Sequence, residues 1–228
     1  MALEGKTAQY SYDGGTANGY LVVPDGVGTR PGLIVIQEWW GLNDHIKDIA
    51  GRFADEGYVT LAPDLYDGVV TKDPTEAGKL MQSLDQGKAI KNLDGAVDYL
   101  AGLSEVDPDH IGVTGFCMGG TYALLLACGN PKVKASAPFY GDVPSDDKLK
   151  NLSAPVLFFG GDQDQWINEE KRKRLESALV NFDKEGEVKV YHAGHAFFND
   201  TRPDAYNKTA AEDAWRRVTH FFAGYLKR

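Results

Sequence analysis

The chain has 228 residues, a formal net charge of -9 at pH 7 and 43% apolar residues. This apolar content is sufficient for a packed core and argues against intrinsic disorder, so a single α/β domain over residues 1–228 is expected. An acidic chain is a poor partner for nucleic acid or anionic membranes, because both attract basic surfaces.

The N-terminal stretch MALEGKTAQY shows no basic segment followed by an apolar run, and no apolar run approaches the length of a membrane span. The two cysteines are Cys117 and Cys128. On one helix they would be separated by about 16 Å of rise, too far for a disulfide. Free thiols are typical of a reducing compartment, so we expect a cytoplasmic protein. We also expect a monomer or a weak homo-oligomer.

Strand and helix patterns alternate along the first half of the chain. ANGYLVVP alternates apolar and polar residues, as in an early antiparallel strand, and PGLIVIQE is a continuous apolar run typical of a strand buried on both faces. NDHIKDIAGRFADEGY then has helical spacing, with Gly57 as its stop. YVTLAPDLY predicts the next strand, and residues 75–103 predict one long or two shorter helices.

The second half continues the alternation. HIGVTGFC predicts a strand entering a sharp turn, and MGGTYALLLAC predicts the helix that leaves it. Three further strands are predicted in VKASAPFYG, APVLFFGG and VKVYHAG, with helices at residues 168–182 and about 205–226. This order predicts a mainly parallel sheet covered by helices on both faces, with ligand sites at the carboxyl ends of the strands.

Four of the loops that follow strands carry reactive side chains: Glu38, Cys117, Asp164 and His195. Cys117 lies in a Gly-x-Cys-x-Gly turn between strand and helix, which is the nucleophile-elbow pattern with cysteine in the nucleophile position. At a helix N-terminus, free N–H groups and the helix dipole lower a thiol pKa, and the N–H of Met118 can hold an oxyanion. The alternative is a buried structural cysteine beside packing glycines.

His195 follows the last predicted strand, where the base belongs in the chain order nucleophile, acid, base. His192 lies within that strand and no third ligand is evident, so neither a metal nor another cofactor is expected. Two acidic residues, Asp162 and Asp164, compete as the partner of the histidine or as a helix cap, and Asp142 and Asp200 are weaker alternatives.

Glu38 ends a buried strand, where carboxylates are seldom left without partners. If it faces Cys117, its charge disfavours the thiolate and keeps the resting thiol neutral. Otherwise it is a solvated loop carboxylate.

Five separated motifs, QEWWG, APDLYDG, GFCMGG, FFGGDQDQW and GHAFFNDTRPDAYN, resemble the dienelactone hydrolase (carboxymethylenebutenolidase) family over nearly the whole chain. The resemblance implies an α/β-hydrolase fold. It also implies a triad of Cys117, His195 and Asp164, in which the acid is the aspartate followed by a polar and an aromatic residue.

The same resemblance implies that Glu38 pairs with the resting thiol and swings away when substrate binds. It implies that the backbone N–H groups of Trp39 and Met118 form the oxyanion hole. Two family arginines that hold a substrate carboxylate are absent, since their positions correspond to Asn199 and to Pro74 or a neighbour, although Lys72 or Arg202 could act from another direction.

Only about a dozen residues separate VKASAPFYG from APVLFFGG, so no cap domain is expected and the site should be shallow. Aromatic residues crowd this edge, and the predicted substrate pocket comprises Trp40, Tyr140, Trp166, Ala196, Phe197 and Asn199. Such a pocket favours small esters or lactones with an aromatic or apolar part.

The expected reaction is hydrolysis of small carboxylic esters or lactones through an acyl-enzyme. One alternative is the same triad acting mainly on other electrophiles, such as phosphotriesters or thioesters. A second is a non-catalytic ligand-binding hydrolase fold. A thiol-redox protein is a weaker alternative, because no resolving cysteine lies near Cys117.

Overall fold

One sheet contains all the strands in residues 3–227, the part of the chain that the computed structural model describes. In chain order the strands are β1 (Lys6–Tyr12), β2 (Gly15–Val22), β3 (Arg30–Ile36), β4 (Val59–Pro63), β5 (Val106–Phe116), β6 (Val133–Phe139), β7 (Val156–Gly161) and β8 (Gly186–Tyr191). Their spatial order is β1-β2-β4-β3-β5-β6-β7-β8. β2 is antiparallel to both of its neighbours, and every pair from β4 to β8 is parallel.

The mainly parallel sheet is therefore confirmed. β1 has no counterpart among the predicted strands, because only Ala8 and Tyr10 give its short sequence an apolar face. It is an edge strand that pairs with β2 over its whole length. The expectation of one domain over 1–228 stays a prediction, and residues 1, 2 and 228 lie outside the described part.

The helices of the described chain are α1 (Asp44–Asp55), α2 (Pro74–Ser83), α3 (Gln86–Ala101), α4 (Met118–Gly129), α5 (Asp146–Leu149), α6 (Glu169–Asn181) and α7 (Lys208–Leu226). The region 75–103 forms two helices, because Asp85 caps a new one by accepting a hydrogen bond from the N–H of Lys88 at 2.7 Å. α7 begins slightly later than predicted, since Asn207 is its N-cap and accepts from the N–H of Ala210 at 3.1 Å.

Both faces of the sheet are covered. Along β3, Ile34 and Ile36 pack into one core with α3, α4 and α6, while Leu33 and Val35 pack into the other with α1 and α7. This explains the continuous apolar run, because alternate side chains of a strand point to opposite faces and here both are buried.

The connection from β6 to β7 holds only the short helix α5, and no cap domain is present in residues 3–227. None of the helices described is both long and apolar enough to cross a membrane. Cys117 and Cys128 are both free thiols, as the helical separation predicted.

Candidate active site

The carboxyl ends of four parallel strands meet at one edge of the sheet. Glu38 follows β3, Cys117 follows β5, Asp164 follows β7 and His195 follows β8. Glu38, Cys117 and His195 line one cavity of about 420 Å³. Asp164 is buried behind the imidazole, with 3% of its surface exposed.

Cys117 occupies a sharp turn between β5 and α4. Its φ of 54° and ψ of -117° are strained for a residue with a side chain. The turn is tied to the end of β6, because the N–H of Cys117 donates to the carbonyl of Phe139 at 3.0 Å. A Cβ on Gly115 would overlap the carbonyl oxygen of Gly119, and one on Gly119 would overlap backbone of the β3 end. Both glycines of the elbow pattern are therefore sterically required.

The His195 ring is oriented by a buried carboxylate. The Nδ1 atom of His195 lies 2.7 Å from Oδ2 of Asp164. The other carboxylate oxygen, Oδ1 of Asp164, accepts hydrogen bonds from the N–H groups of Trp166 at 2.8 Å and Ile167 at 2.9 Å. Because an ionised carboxylate only accepts, Nδ1 carries the proton and Nε2 is left as the basic nitrogen. Nε2 is buried and has no hydrogen-bond partner within residues 3–227.

Asp164 remains ionised in this position. Burial raises the pKa of Asp164, but the hydrogen bond and charge of His195, with two backbone N–H donors, outweigh it and bring the pKa below its usual value. Asp162 instead pairs with His192 on the surface, where Nδ1 to Oδ2 is 2.9 Å. The structure thus puts Asp164, and not Asp162, against His195.

The two weaker candidates for the carboxylate beside His195, Asp142 and Asp200, have other partners. Asp142 pairs with Lys171 at 2.9 Å. Asp200 lies 3.3 Å from Nδ1 of the buried His45. The described residues contain no group of three or more His, Cys, Asp or Glu side chains that could hold a metal ion.

The thiol of Cys117 is protonated at rest. Burial and the charge of Glu38 raise its pKa to about 12, against the N–H groups of Met118 and Trp39, which lower it. The N–H groups at the helix N-terminus do lower the thiol pKa, as expected, but burial and Glu38 raise it by more. The expectation of a lowered pKa was therefore wrong. The expected opposition between Glu38 and the thiolate is present.

Glu38 itself is almost fully buried, with 1% of its surface exposed. Its Oε2 accepts a hydrogen bond from Nδ2 of Asn199 at 2.7 Å, while Oε1 has no hydrogen-bond partner in the described chain. Burial raises the pKa of Glu38, and Asn199, His195, Arg202 and Tyr140 partly offset this.

The cavity wall is mostly aromatic. Trp39 contacts Trp40 and Trp166 edge to face, with centroids 4.9 Å and 6.2 Å apart. Trp166 is 60% exposed and also packs on the His195 ring at 4.7 Å. The remaining wall residues are Pro74, Ala196, Arg202, Asp204 and Ala205.

Arg202 is the cation of this wall. Its guanidinium lies 5.1 Å from the Trp40 ring and forms two hydrogen bonds to Asp204, at 2.8 and 3.3 Å. It also borders a second cavity of about 390 Å³, which Lys72 and Asn199 line as well. The expected pocket residues Trp40, Trp166 and Ala196 thus line the cavity that holds Cys117 and His195.

Tyr140 and Phe197 do not line that cavity, which corrects the predicted pocket. Both are fully buried, with ring centroids 5.3 Å apart, because they fill the core beneath the site. Tyr140 nevertheless interacts electrostatically with Glu38 and Cys117. Burial, followed by the charges of these two groups, raises the pKa of Tyr140 well above its usual value. Asn199 is 1% exposed and donates a hydrogen bond to Glu38, and it does not line the cavity that holds Cys117.

Two residues of the site were missed by the sequence reasoning. Thr201 fixes Asn199 by donating its N–H and hydroxyl to Oδ1 of that residue, at 3.1 and 2.6 Å. Arg172 is buried and donates to the carbonyls of Gly161 and Ile167 at 2.6 Å each, which braces the loop that carries the acid. The sequence around Arg172 did not indicate a buried role, because the residue lies in the highly charged segment EEKRKR.

The chain is similar to known proteins over most of its length. The model of the dienelactone hydrolase family matches residues 17–226. A Bradyrhizobium protein assigned as a 2-oxo-3-(5-oxofuran-2-ylidene)propanoate lactonase is 35% identical over 222 residues, which cover 91% of this chain and 89% of that protein.

Two solved structures are similar over almost their whole length. One, assigned as a dienelactone hydrolase from Klebsiella pneumoniae, has 30% identity and a TM-score of 0.88, covering 96% of this chain and 99% of its own. The other, a dienelactone hydrolase-like promiscuous phosphotriesterase from metagenomic libraries, has 25% identity and a TM-score of 0.91, covering 99% of each chain. This chain belongs to the dienelactone hydrolase family and is a hydrolase that acts on ester or lactone bonds.

Proposed function

We propose that the protein hydrolyses small carboxylic esters or lactones through a thioester acyl-enzyme on Cys117. The observation that carries the proposal is that a cysteine on a strained elbow shares a cavity with an imidazole whose Nε2 is free and whose Nδ1 is held by Asp164. This is the arrangement of a nucleophile, its base and the group that orients the base.

The resting enzyme is unreactive in this mechanism. A thiol with a pKa of about 12 is protonated at neutral pH, and the Glu38 charge opposes its ionisation. When substrate fills the cavity, Glu38 turns away or becomes neutral, and the thiol proton passes to Nε2 of His195. The resulting thiolate and imidazolium form an ion pair that the buried Asp164 stabilises.

The thiolate then attacks the carbonyl carbon, forming a C–S bond and placing negative charge on the carbonyl oxygen. The N–H groups of Trp39 and Met118, which already face the sulfur, stabilise that charge. Collapse breaks the ester C–O bond, and His195 gives its proton to the leaving oxygen. Water, deprotonated by His195, attacks the thioester, releases the acid and restores the thiol.

The cavity supports substrates with an aromatic or apolar part. Trp39, Trp40 and Trp166 offer faces and edges for a flat group, and the site has no cap to enclose a large one. A carboxylated lactone would have to compete with Asp204 for Arg202, so loss of the two family arginines disfavours it.

Turnover of aryl acetates by the purified protein and by Cys117→Ala tests the proposal. We expect the variant to lose nearly all activity, and Cys128→Ala to keep it, since that thiol lies away from the cavity. Trapping a thioester on the Cys117 peptide by mass spectrometry would identify the intermediate. Unchanged turnover in Cys117→Ala would refute the mechanism.

A second candidate substrate class is the phosphotriesters, favoured by the promiscuous phosphotriesterase that shares the fold at a TM-score of 0.91. A thiolate in an open aromatic cavity can attack phosphorus as well as carbon. A panel of aryl carboxylic esters, thioesters and aryl phosphotriesters separates the classes. A higher kcat/KM for a triester than for every carboxylic ester would reverse our ranking.

For the setting of the reaction we propose a reducing compartment such as the cytoplasm and a monomeric or weakly associated state. The free thiols of Cys117 and Cys128 support the first of these. Thiol titration of protein taken directly from cells and sedimentation at micromolar concentration test the two statements. A disulfide-linked or tightly dimeric protein would contradict them.

A further inference from the structure

The carboxamide of Asn199 can be oriented in only one way. Its Oδ1 accepts two hydrogen bonds from Thr201, so its Nδ2 is the atom that faces Oε2 of Glu38 at 2.7 Å. A flipped amide would set an oxygen against a carboxylate and lose both Thr201 donors. The loop backbone is also fixed, because the N–H of Asn199 donates to the carbonyl of Ala196 at 3.0 Å.

Glu38 is buried, and the amide of Asn199 is the side chain that donates to its Oε2 at 2.7 Å. The other groups that act on its charge are His195, Arg202, Tyr140 and the thiol of Cys117. Arg202 is already paired with a carboxylate of its own. Oε1 stays buried and without a hydrogen-bond partner in the described chain, and its carboxylate shares a cavity with Cys117.

We propose that Asn199 is a positioning residue that keeps Glu38 ionised beside Cys117 and so holds the proton on the sulfur until substrate binds. The proposal rests on the proposed function, in which Glu38 restrains the nucleophile. It assigns Asn199 to the control of the thiol and not to contact with substrate.

The proton balance of the Glu38 and Cys117 pair gives this proposal a measurable form. The pair can place its single proton on Sγ, leaving a carboxylate, or on Glu38, leaving a thiolate; an S–H bond is exchanged for an O–H bond and the total charge stays the same. While the pair holds one proton, the ratio of the two forms depends on the difference between the two proton affinities and not on pH. A tenfold gain in the proton affinity of Glu38 therefore raises the thiolate fraction tenfold.

The test is the rate of Cys117 alkylation by iodoacetamide between pH 6 and 9, followed on the Cys117 peptide by mass spectrometry so that Cys128 is not counted. Loss of a hydrogen bond to a charged group raises the pKa of Glu38 by about one unit or more, so Asn199→Ala should alkylate about tenfold faster at neutral pH. In a Glu38→Gln background the same replacement should change the rate by less than about twofold, because the titrating partner is gone.

Thr201 supplies a milder variant should Asn199→Ala fold poorly. Thr201→Val removes one of the two donors that fix the amide, and should accelerate alkylation in the same direction by a smaller factor. Thr201→Ser retains the hydroxyl and should restore the rate of the unaltered protein. An equal acceleration by Asn199→Ala in the parent and in the Glu38→Gln background, or no acceleration by either Asn199→Ala or Thr201→Val, would overturn the proposal.

This outcome is independent of the turnover test. If Cys117→Ala kept its ester hydrolysis, the proposed function would fail, but alkylation would still report whether Asn199 acts on Cys117 through Glu38. If the alkylation cycle showed no coupling while Cys117→Ala was inactive, only the role of Asn199 would fall.

Discussion

Asp164→Asn should keep the site assembled and yet reverse the proton arrangement of His195. In the structure Oδ1 of Asp164 accepts two backbone N–H groups, so the amide oxygen of asparagine must take that place. Its NH₂ group then faces Nδ1 of His195, where the carboxylate oxygen stood at 2.7 Å. A donor there forces Nδ1 to accept and puts the proton on Nε2.

The predicted loss of rate is large because that tautomer cannot take a proton from Cys117. The same replacement of a triad aspartate in serine proteases lowers kcat about 10⁴-fold, and the loss of imidazolium stabilisation acts in the same direction here. The assay is kcat for an aryl acetate at pH 7. Stability should fall by about 1–3 kcal/mol in urea unfolding, since one charge-assisted hydrogen bond is lost and both backbone donors stay satisfied.

The chain provides a matched control in Asp162→Asn. This residue contacts His192 through the same pair of atoms at 2.9 Å, but the His192 side chain is exposed and does not line the cavity that holds Cys117. We expect its kcat to stay within about twofold of the parent. If Asp164→Asn retained a tenth of the parent kcat, or if both variants fell alike, the tautomer reasoning would be refuted.

Three further predictions concern the framework of the site. Arg172→Met should lower the free energy of unfolding by about 3 kcal/mol or more in urea titrations, because two backbone carbonyls lose a charged donor; a change below about 1 kcal/mol would contradict this. The pKa of Asp213 is lowered to about 2 by its hydrogen bond to an arginine, so its stabilisation is complete above pH 4 and is lost as pH falls toward 2. Asp213→Asn should therefore destabilise the protein by about 1 kcal/mol at pH 7 but not at pH 2, and an equal effect at both pH values would exclude that origin. Gly119→Ala should abolish ester turnover and lower Tm, because its Cβ overlaps the carbonyl oxygen of Ile36, while Gly129→Ala in the same helix meets open space and should do neither.

The sheet and the meeting of the candidate catalytic residues at one edge could be predicted from sequence for one physical reason. Parallel strands bring their carboxyl ends to one edge, so Glu38, Cys117, Asp164 and His195 could be placed together although they are far apart in the chain. β1 could not be predicted in the same way, because its apolar face consists of two residues and its stability comes from pairing with β2.

The details that control the thiol were not accessible to sequence. The pKa of Cys117 depends on a balance between N–H donors and burial beside Glu38, and a motif does not reveal which effect is larger. The partner of Glu38 is 161 residues away and belongs to a loop whose amide orientation is set by Thr201. The sequence likewise does not show whether an aromatic residue near a strand end lines a cavity or fills the core. Trp166 lines the cavity, whereas Phe197 is buried in the core.

Trp166 contributes to the site in two separable ways. Its backbone N–H holds Asp164 in place, whereas its exposed indole forms part of the cavity wall. Any residue other than proline supplies the same N–H group, so position 166 can vary in size and polarity while Asp164 keeps this hydrogen bond. Under the proposed mechanism, substrate range can therefore change at one position of this short loop while the chemistry at its neighbour stays the same, which gives the scaffold a route to new specificities.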